Sequence, residues 1–135
     1  MNMSYMFKDC TSLSTIIFGN LTTTVEDSSH MFDNCKSLTS LELNNIKTNN
    51  VIDMSYMFSN CSSIKRLNIT NYNIREAKDL SYMFNNCYSL TQLNINKTIF
   101  EPKNLSNISI IDMFYNCQDE IIPVWYKNIP NITKY

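Results

Sequence analysis

Glycine is almost absent from this sequence of 135 residues, in which Gly19 is the only copy. A glycine-rich loop that cradles a phosphate is therefore excluded, because such a loop needs several glycines within a few residues. Asparagine, by contrast, occurs 20 times. Asparagine tolerates the backbone conformations of tight turns better than most residues, so we expect it to occupy the turn positions that glycine usually fills.

The sequence also lacks an excess of charge and a long apolar run. Lysine and arginine number 11 and aspartate and glutamate 12, giving a formal charge of -1 and no broad positive field for nucleic acid. No stretch approaches the roughly 18 apolar residues that span a bilayer, and residues 1–5 do not resemble a signal peptide. With 44% hydrophobic residues, the chain is too apolar for disorder. We expect a single domain, with no nucleic-acid partner and no direct insertion into a membrane.

A unit of 25 or 26 residues recurs along the chain. The pair Met-Phe begins at residues 6, 31, 57, 83 and 113, and two residues separate each pair from a cysteine. Apolar residues follow the first four cysteines at the third, sixth and eighth positions. We number the units repeats 1 to 5 by their cysteines, which are Cys10, Cys35, Cys61, Cys87 and Cys117; the apolar residues are Leu13/Ile16/Phe18, Leu38/Leu41/Leu43, Ile64/Leu67/Ile69 and Leu90/Leu93/Ile95.

This pattern and period are typical of leucine-rich repeats, each of which contributes one short strand. Apolar residues at three- and four-residue spacing in 53–58 and 79–84 predict a short helical or 3-10 turn on the opposite side. The predicted fold is an α/β-type repeat solenoid over residues 1–135, a single domain of about five repeats with a parallel sheet on one face. We expect a truncated first repeat, a loop near Pro102 where the spacing grows to 30, and a C-terminal cap over 118–135.

An asparagine or aspartate precedes every cysteine. These residues tolerate the left-handed backbone conformation best after glycine, so we expect that conformation at Asp9, Asn34, Asn60, Asn86 and Asn116. A further asparagine stands at the tenth position after the cysteine in repeats 1 to 3, at Asn20, Asn45 and Asn71.

The unit D-M-S-Y-M-F-x-x-C-x-S-[LI]-x-x-L-x-[LI] resembles the BspA-like leucine-rich repeats of surface proteins in bacteria and parasitic protists, also known as the DUF285 repeat of mycoplasmal lipoproteins. The resemblance covers residue 3 to about 117, and its Met-Phe pair before the cysteine is not general among leucine-rich repeats. It implies a location at the cell surface and a role in adhesion or recognition. A cytoplasmic location is the alternative.

The cysteines and the single histidine are the residues most suggestive of chemistry. One cysteine per repeat does not match the close pairs of a zinc site, and a column of buried thiols is favoured, with pairing of neighbours as a disulfide left open. His30 occupies the repeat position held elsewhere by Tyr5, Tyr56 and Tyr82, so packing is favoured over catalysis. We expect no cofactor, no metal and no enzymatic activity.

Outward-facing strand residues are the candidate ligand-binding site. They alternate with the inward apolar residues and are nearly uncharged, which suits hydrogen bonding to a protein or glycan. A solvated face without a ligand is equally compatible with the pattern. An intracellular scaffold for protein interactions is the alternative function, and further repeats or a partner could meet the N-terminal edge. We call the candidate residues the strand face: Ser40, Glu42, Asn44, Arg66, Asn68, Thr70, Gln92, Asn94 and Asn96, with Thr15, Ile17 and Gly19 extending it into repeat 1.

Overall fold

A computed structural model describes residues 1–19 and 23–132. Asn20 and the end of the predicted cap, residues 133–135, lie outside this part. Among the described residues, six short strands lie before residue 95. They are followed by the 3-10 helices Leu105–Asn107 and Asp119–Ile121 and by the single-turn helix α1, Val124–Lys127. The strands are β1 (Thr15–Ile17), β2 (Thr23–Thr24), β3 (Ser40–Glu42), β4 (Ile46–Lys47), β5 (Arg66–Asn68) and β6 (Gln92–Asn94).

Strands of neighbouring repeats pair in parallel. β1 pairs with β3, β2 with β4, and β5 with β6. The registers place Ile16 opposite Leu41 and Leu67 opposite Leu93, so equivalent positions of the repeat face each other. Within the described residues no ladder joins β3 to β5, so the strands form three two-stranded sheets, whereas the sequence predicts one parallel sheet.

The sequence predicts a short helical or 3-10 turn over residues 53–58 and 79–84, and the structure has turns there without a helix. The backbone N–H of Met57 donates to the carbonyl oxygen of Met54, and that of Cys61 to Phe58, at 3.2 and 3.1 Å. These i to i+3 bonds alternate with bonds to the next repeat and do not continue as a helix, because Tyr56 and Asn60 have φ of 57° and 58°. A right-handed helix needs negative φ throughout, so two left-handed residues four apart interrupt it. The i to i+3 hydrogen bonds of a 3-10 turn are thus present here, but no helix is formed.

Asparagine and aspartate do adopt the left-handed conformation that the sequence predicts. Asp9, Asn34, Asn60, Asn86 and Asn116 all have φ between 58° and 65°. A second left-handed residue, four positions earlier, was not predicted. It is Tyr5, His30, Tyr56, Tyr82 or Asp112 according to the repeat.

These turns align the backbone for a second ladder between repeats. In repeat 3, the N–H groups of Met54, Tyr56, Phe58 and Asn60 donate to carbonyl oxygens of repeat 4 at 2.8 to 2.9 Å. Intervening N–H groups, such as that of Met57, bond within their own repeat. The same alternation recurs at the other three repeat boundaries. The turns are therefore as regularly hydrogen-bonded between repeats as the strands are. The left-handed residues turn the backbone so that alternate N–H groups point to the next repeat.

Phenylalanine rings form the centre of the core. Phe32, Phe58 and Phe84 are fully buried, and adjacent rings stack 5.5 to 5.6 Å apart with planes 11° from parallel. Phe7 and Phe114 extend the column on either side. Because each ring is covered by the ring of the next repeat, stability depends on stacking of neighbours.

The C-terminal segment lies against this column. Tyr126 of α1 is buried and meets Phe114 edge to face at 5.0 Å. Ile121, Ile122 and Pro123 are also buried. The predicted cap is compatible with these contacts but stays a prediction, because its last three residues are outside the described part. The extra residues near Pro102 include the 3-10 helix Leu105–Asn107, whose first turn is capped by Asn104.

Candidate ligand-binding face

All nine residues of the strand face are exposed. In the β5 and β6 pair, Arg66 lies opposite Gln92 and Asn68 opposite Asn94. In the β1 and β3 pair, Thr15 lies opposite Ser40. The alternation of faces along a strand explains this exposure, because the intervening Leu67 is buried. The structure thus aligns the predicted strand residues in two groups, one on β1 and β3 and one on β5 and β6.

Several polar side chains of the face are oriented by local hydrogen bonds. Oδ1 of Asn68 accepts from the backbone N–H of Thr70 at 3.2 Å, and Oδ1 of Asn96 accepts from that of Thr98 at 3.0 Å. Nε2 of Gln92 donates to Oδ1 of Asn94 at 3.2 Å. These bonds hold Asn68 and Asn96 with their amide Nδ2 groups unused by any recorded bond of the described residues, so both remain available as donors to a ligand.

Asparagines at the tenth position after the cysteine connect neighbouring repeats. Nδ2 of Asn71 donates to the carbonyl oxygen of Asn44 at 2.8 Å, and Nδ2 of Asn45 donates to the carbonyl oxygen of Gly19. Each amide therefore bridges to the preceding repeat beside the end of its strand. The role explains why asparagine recurs at this position, since a shorter side chain would not reach the carbonyl group.

A polar groove continues the strand face beyond the strand ends. We call it the asparagine groove; its volume is about 480 Å³ and its polar lining includes Asn44, Asn45, Lys47, Thr70, Asn71 and Asn96. Three of these, Asn44, Thr70 and Asn96, belong to the predicted strand face. Sequence reasoning missed the contribution of Lys47, because β4 lies outside the leucine-rich pattern from which the candidates were taken.

The charges of the strand face are isolated. Among the residues that the structure describes, Glu42 and Arg66 form no ion pair, and both are exposed. Lys47 is also exposed and likewise lacks an ion pair within that part of the chain. The face consequently presents separate charges among neutral amides and hydroxyls.

All five cysteines are free thiols. Sγ of Cys61 donates to the carbonyl oxygen of Phe32 in the preceding repeat, and the equivalent bonds join Cys35 to Phe7 and Cys87 to Phe58. Desolvation by burial raises the pKa of Cys35 to about 11 and raises the pKa of Cys61 and Cys87 further. The thiolate is the nucleophilic and metal-binding form, so these thiols are unreactive at neutral pH. In residues 1–19 and 23–132 no group of three acidic, histidine or cysteine side chains is arranged to hold a metal ion.

The ring of His30 is enclosed by aromatic neighbours. It stacks between Tyr5 and Tyr56 with centroid distances of 4.7 and 4.5 Å, and Tyr56 in turn stacks on Tyr82 at 4.6 Å. Nδ1 of His30 lies 2.8 Å from Oδ2 of Asp33. The faces of the imidazole are thus covered by rings and one nitrogen is engaged by a carboxylate. This arrangement gives His30 a clear packing role.

A second concavity lies where the C-terminal segment meets repeat 4. Its volume is about 370 Å³, and Ile95, Phe100, Val124 and Trp125 line it. Nε1 of Trp125 is buried without a hydrogen-bond partner among the described residues, as is the hydroxyl group of Tyr72. Sequence reasoning did not identify this concavity, because it depends on how residues 123–128 pack against residues 95–101.

The chain matches the sequence pattern of a known protein family. The family described as Mycoplasma protein of unknown function, DUF285, matches residues 1–125. No curated protein and no solved structure has a significant match. Within the described residues no helix has the length and apolarity needed to cross a membrane.

Proposed function

Because the chain belongs to the DUF285 family of mycoplasma proteins of unknown function, we propose a function from the site itself: a non-catalytic module that binds a protein or glycan through the strand face. We further propose that the repeats form a leucine-rich-repeat solenoid of the BspA-like kind and that binding serves adhesion or recognition at the cell surface. The observation that carries the proposal is the alignment of exposed Arg66 and Asn68 with Gln92 and Asn94 across β5 and β6.

The proposal is supported by the way in which the packed strands hold the polar side chains at fixed positions. Leu67, between Arg66 and Asn68, is buried and paired with Leu93, which fixes the spacing of the outward side chains. Asn68 is further oriented by its bond to the backbone of Thr70. Side chains held before binding lose less conformational entropy when a ligand arrives, so a preorganised face binds more tightly for the same contacts.

We propose a non-catalytic function because histidine and cysteine, the two kinds of residue that an enzyme would most readily use, are engaged in packing here. His30 is stacked between tyrosines and bonded to Asp33, and burial suppresses ionisation of the thiols of Cys61 and Cys87. General acid–base or nucleophilic catalysis needs such a group within reach of a substrate.

The proposal is tested with the variant Arg66→Ala/Asn68→Ala/Gln92→Ala. The purified chain is first screened for binding to matrix proteins and to a glycan array, and affinities for each hit are then measured by calorimetry. We expect the variant to bind at least about tenfold more weakly, a loss of about 1.4 kcal/mol. Its melting temperature should stay close to that of the wild type, because the two side-chain bonds that it removes are both exposed.

Its matched control is Lys36→Ala/Asn50→Ala/Lys78→Ala. These three exposed side chains lie outside the strands and form no hydrogen bond with any other residue that the structure describes. The control should bind as the wild type does. Equal affinity of the strand-face variant and the wild type, or no hit in the screen, would overturn the proposal.

Location is tested separately on intact cells. Surface exposure predicts that protease added to intact cells cleaves the protein and that a membrane-impermeant biotin reagent labels it. Protection in intact cells with labelling only after lysis would contradict a surface role and favour an intracellular scaffold.

A further inference from the structure

The asparagine groove contains several polar groups that have no hydrogen-bond partner among the described residues. Nδ2 of Asn45 and Asn71 is bound to backbone carbonyl groups, which leaves their Oδ1 atoms as acceptors without a recorded partner. The side chains of Asn44 and Thr70 form no hydrogen bond recorded within residues 1–19 and 23–132, and Asn96 retains its Nδ2 donor. Donors and acceptors therefore line one concavity of about 480 Å³.

A ligand that satisfies such a lining must donate and accept at several adjacent points. Each hydroxyl group of a saccharide does both, and a side-chain amide also supplies one group of each type. A polypeptide backbone could hydrogen-bond to the amides as well, but peptide sites gain their specificity from pockets for side chains. The apolar lining here is limited to Ile46, which is 1% exposed, and the half-buried Ile99. A hydroxyl-rich ligand fits this lining better than a peptide does.

The charge at the groove narrows the class of saccharide. Lys47 is the one charged residue among those that line it, and no acidic residue in the described part of the chain pairs with its ammonium group. An unpaired ammonium group beside neutral amides attracts a carboxylate, and the pair is strengthened when binding partly excludes water.

We propose that the asparagine groove binds an acidic saccharide, whose hydroxyl groups bond to the amides and Thr70 while its carboxylate pairs with Lys47. This inference rests on the proposed function as a binding module and deepens it by naming a ligand class and a subsite.

The experiment compares two forms of one ligand. Oligosaccharides of uronic acid and of sialic acid are titrated into the purified chain, each beside its methyl ester, which keeps the hydroxyl groups and removes the charge. We expect the acid form to bind about tenfold more tightly than the ester, and this preference to shrink as salt is raised.

Variants separate the contribution of the Lys47 charge from that of the hydrogen bonds to the saccharide. Lys47→Gln should lower binding of the acid to that of the ester and leave the ester unchanged. Asn44→Ala/Thr70→Ala should weaken both forms, and its exposed side chains have no recorded internal bond, so the melting temperature should not fall. Lys36→Gln, an exposed lysine outside the groove, is the matched control and should behave as wild type.

The outcomes separate this inference from the proposed function. Equal binding of acid and ester, or an unaltered preference in Lys47→Gln, overturns the acidic-saccharide site. Peptide ligands that are lost in the strand-face variant but retained in the groove variants would also overturn it while supporting a binding module. Absence of any ligand for either surface overturns both.

Discussion

The thiol of Cys61 donates a hydrogen bond to the carbonyl oxygen of Phe32, with Sγ and oxygen 3.3 Å apart and the two residues in adjacent repeats. Cys87 makes the same bond to Phe58 at 3.0 Å. The carbonyl oxygen of Phe32 also accepts from the backbone N–H of Cys35. A thiol is small enough for this buried position and still supplies a weak donor, which explains the recurrence of cysteine without metal or disulfide chemistry.

Replacing Cys61 by alanine should therefore destabilise the fold. The change leaves a small cavity in a fully buried position and removes one inter-repeat bond, so we expect the free energy of unfolding to fall by about 1–2 kcal/mol. Urea denaturation under reducing conditions measures the change. Cys10→Ala is the control, because Cys10 is only half-buried and has no recorded bond to a preceding repeat; an equal loss in both variants would contradict the explanation.

Stability should decline in alkaline solution. Desolvation raises the pKa of Cys35 to about 11 and that of Cys117 to about 12, against 9.0 for a free cysteine, and raises those of Cys61 and Cys87 further. Between the unfolded and folded pKa values the unfolded chain binds fewer protons than the folded chain. The free energy of unfolding is thus constant with respect to these thiols below about pH 8 and falls as pH rises through 9.

Each fully buried thiol can contribute a slope of up to about 1.4 kcal/mol per pH unit in that range. Urea titrations at pH 7, 9 and 10 measure the slope for the wild type and for Cys61→Ala/Cys87→Ala. The slope should be shallower in the double variant. Identical slopes would mean that these thiols ionise alike in both states.

Stacking at His30 gives a prediction about side-chain identity. Tyrosine occupies the same left-handed position in repeats 1, 3 and 4, so His30→Tyr should keep both ring contacts. It loses the contact with Asp33, whose carboxylate keeps its ion pair with Lys8, so we expect the free energy of unfolding to fall by no more than about 1 kcal/mol. His30→Ala removes two stacked pairs worth about 0.5–1.5 kcal/mol each, and should cost about 1–3 kcal/mol. Thermal and urea denaturation compare the variants, and a tyrosine variant as unstable as the alanine variant would refute the packing role.

The left-handed backbone of Asn60 predicts strong dependence on side-chain shape. Valine at φ of 58° should cost about 1–3 kcal/mol. Glycine adopts this conformation freely and should lose little beyond the bond that Oδ1 of Asn60 accepts from Asn86 and the one that its Nδ2 donates to Ser59. Asn94→Val is the control, since Asn94 is exposed on an extended strand, where a β-branched residue is well tolerated. Chemical denaturation should rank Asn60→Val as the least stable of the three.

Sequence patterns succeed here where the determinant is local. The left-handed conformation of Asn34 and Asn86 follows from a preference of the residue itself, and the exposure of Arg66 and Asn68 follows from the period of a strand. Both predictions need only a few neighbouring residues. The strand face could accordingly be located from the sequence, while its ligand is a matter for experiment.

The failures share a tertiary origin. Tyr56 has no local preference for a left-handed backbone, so its apolar neighbours at helical spacing predicted a short helical or 3-10 turn with right-handed residues throughout. What stabilises the observed turn is stacking on His30 and Tyr82 together with bonds to the next repeat, such as that from the N–H of Tyr56 to the carbonyl oxygen of Ser81. The asparagine groove was not predicted for a similar reason, because Lys47 joins Asn44, Thr70 and Asn96 only through the packing of β4.

The ladder that joins the turns gives the stack a direction. At each boundary, four N–H groups of one repeat donate to carbonyl groups of the following repeat, as those of Met54 and Phe58 do. Their bond dipoles add along the stacking axis, much as peptide dipoles add along an α-helix. A repeat spliced in backwards would set N–H against N–H, so engineered arrays of this unit can grow only head to tail, and they should gain electrical polarity as they lengthen.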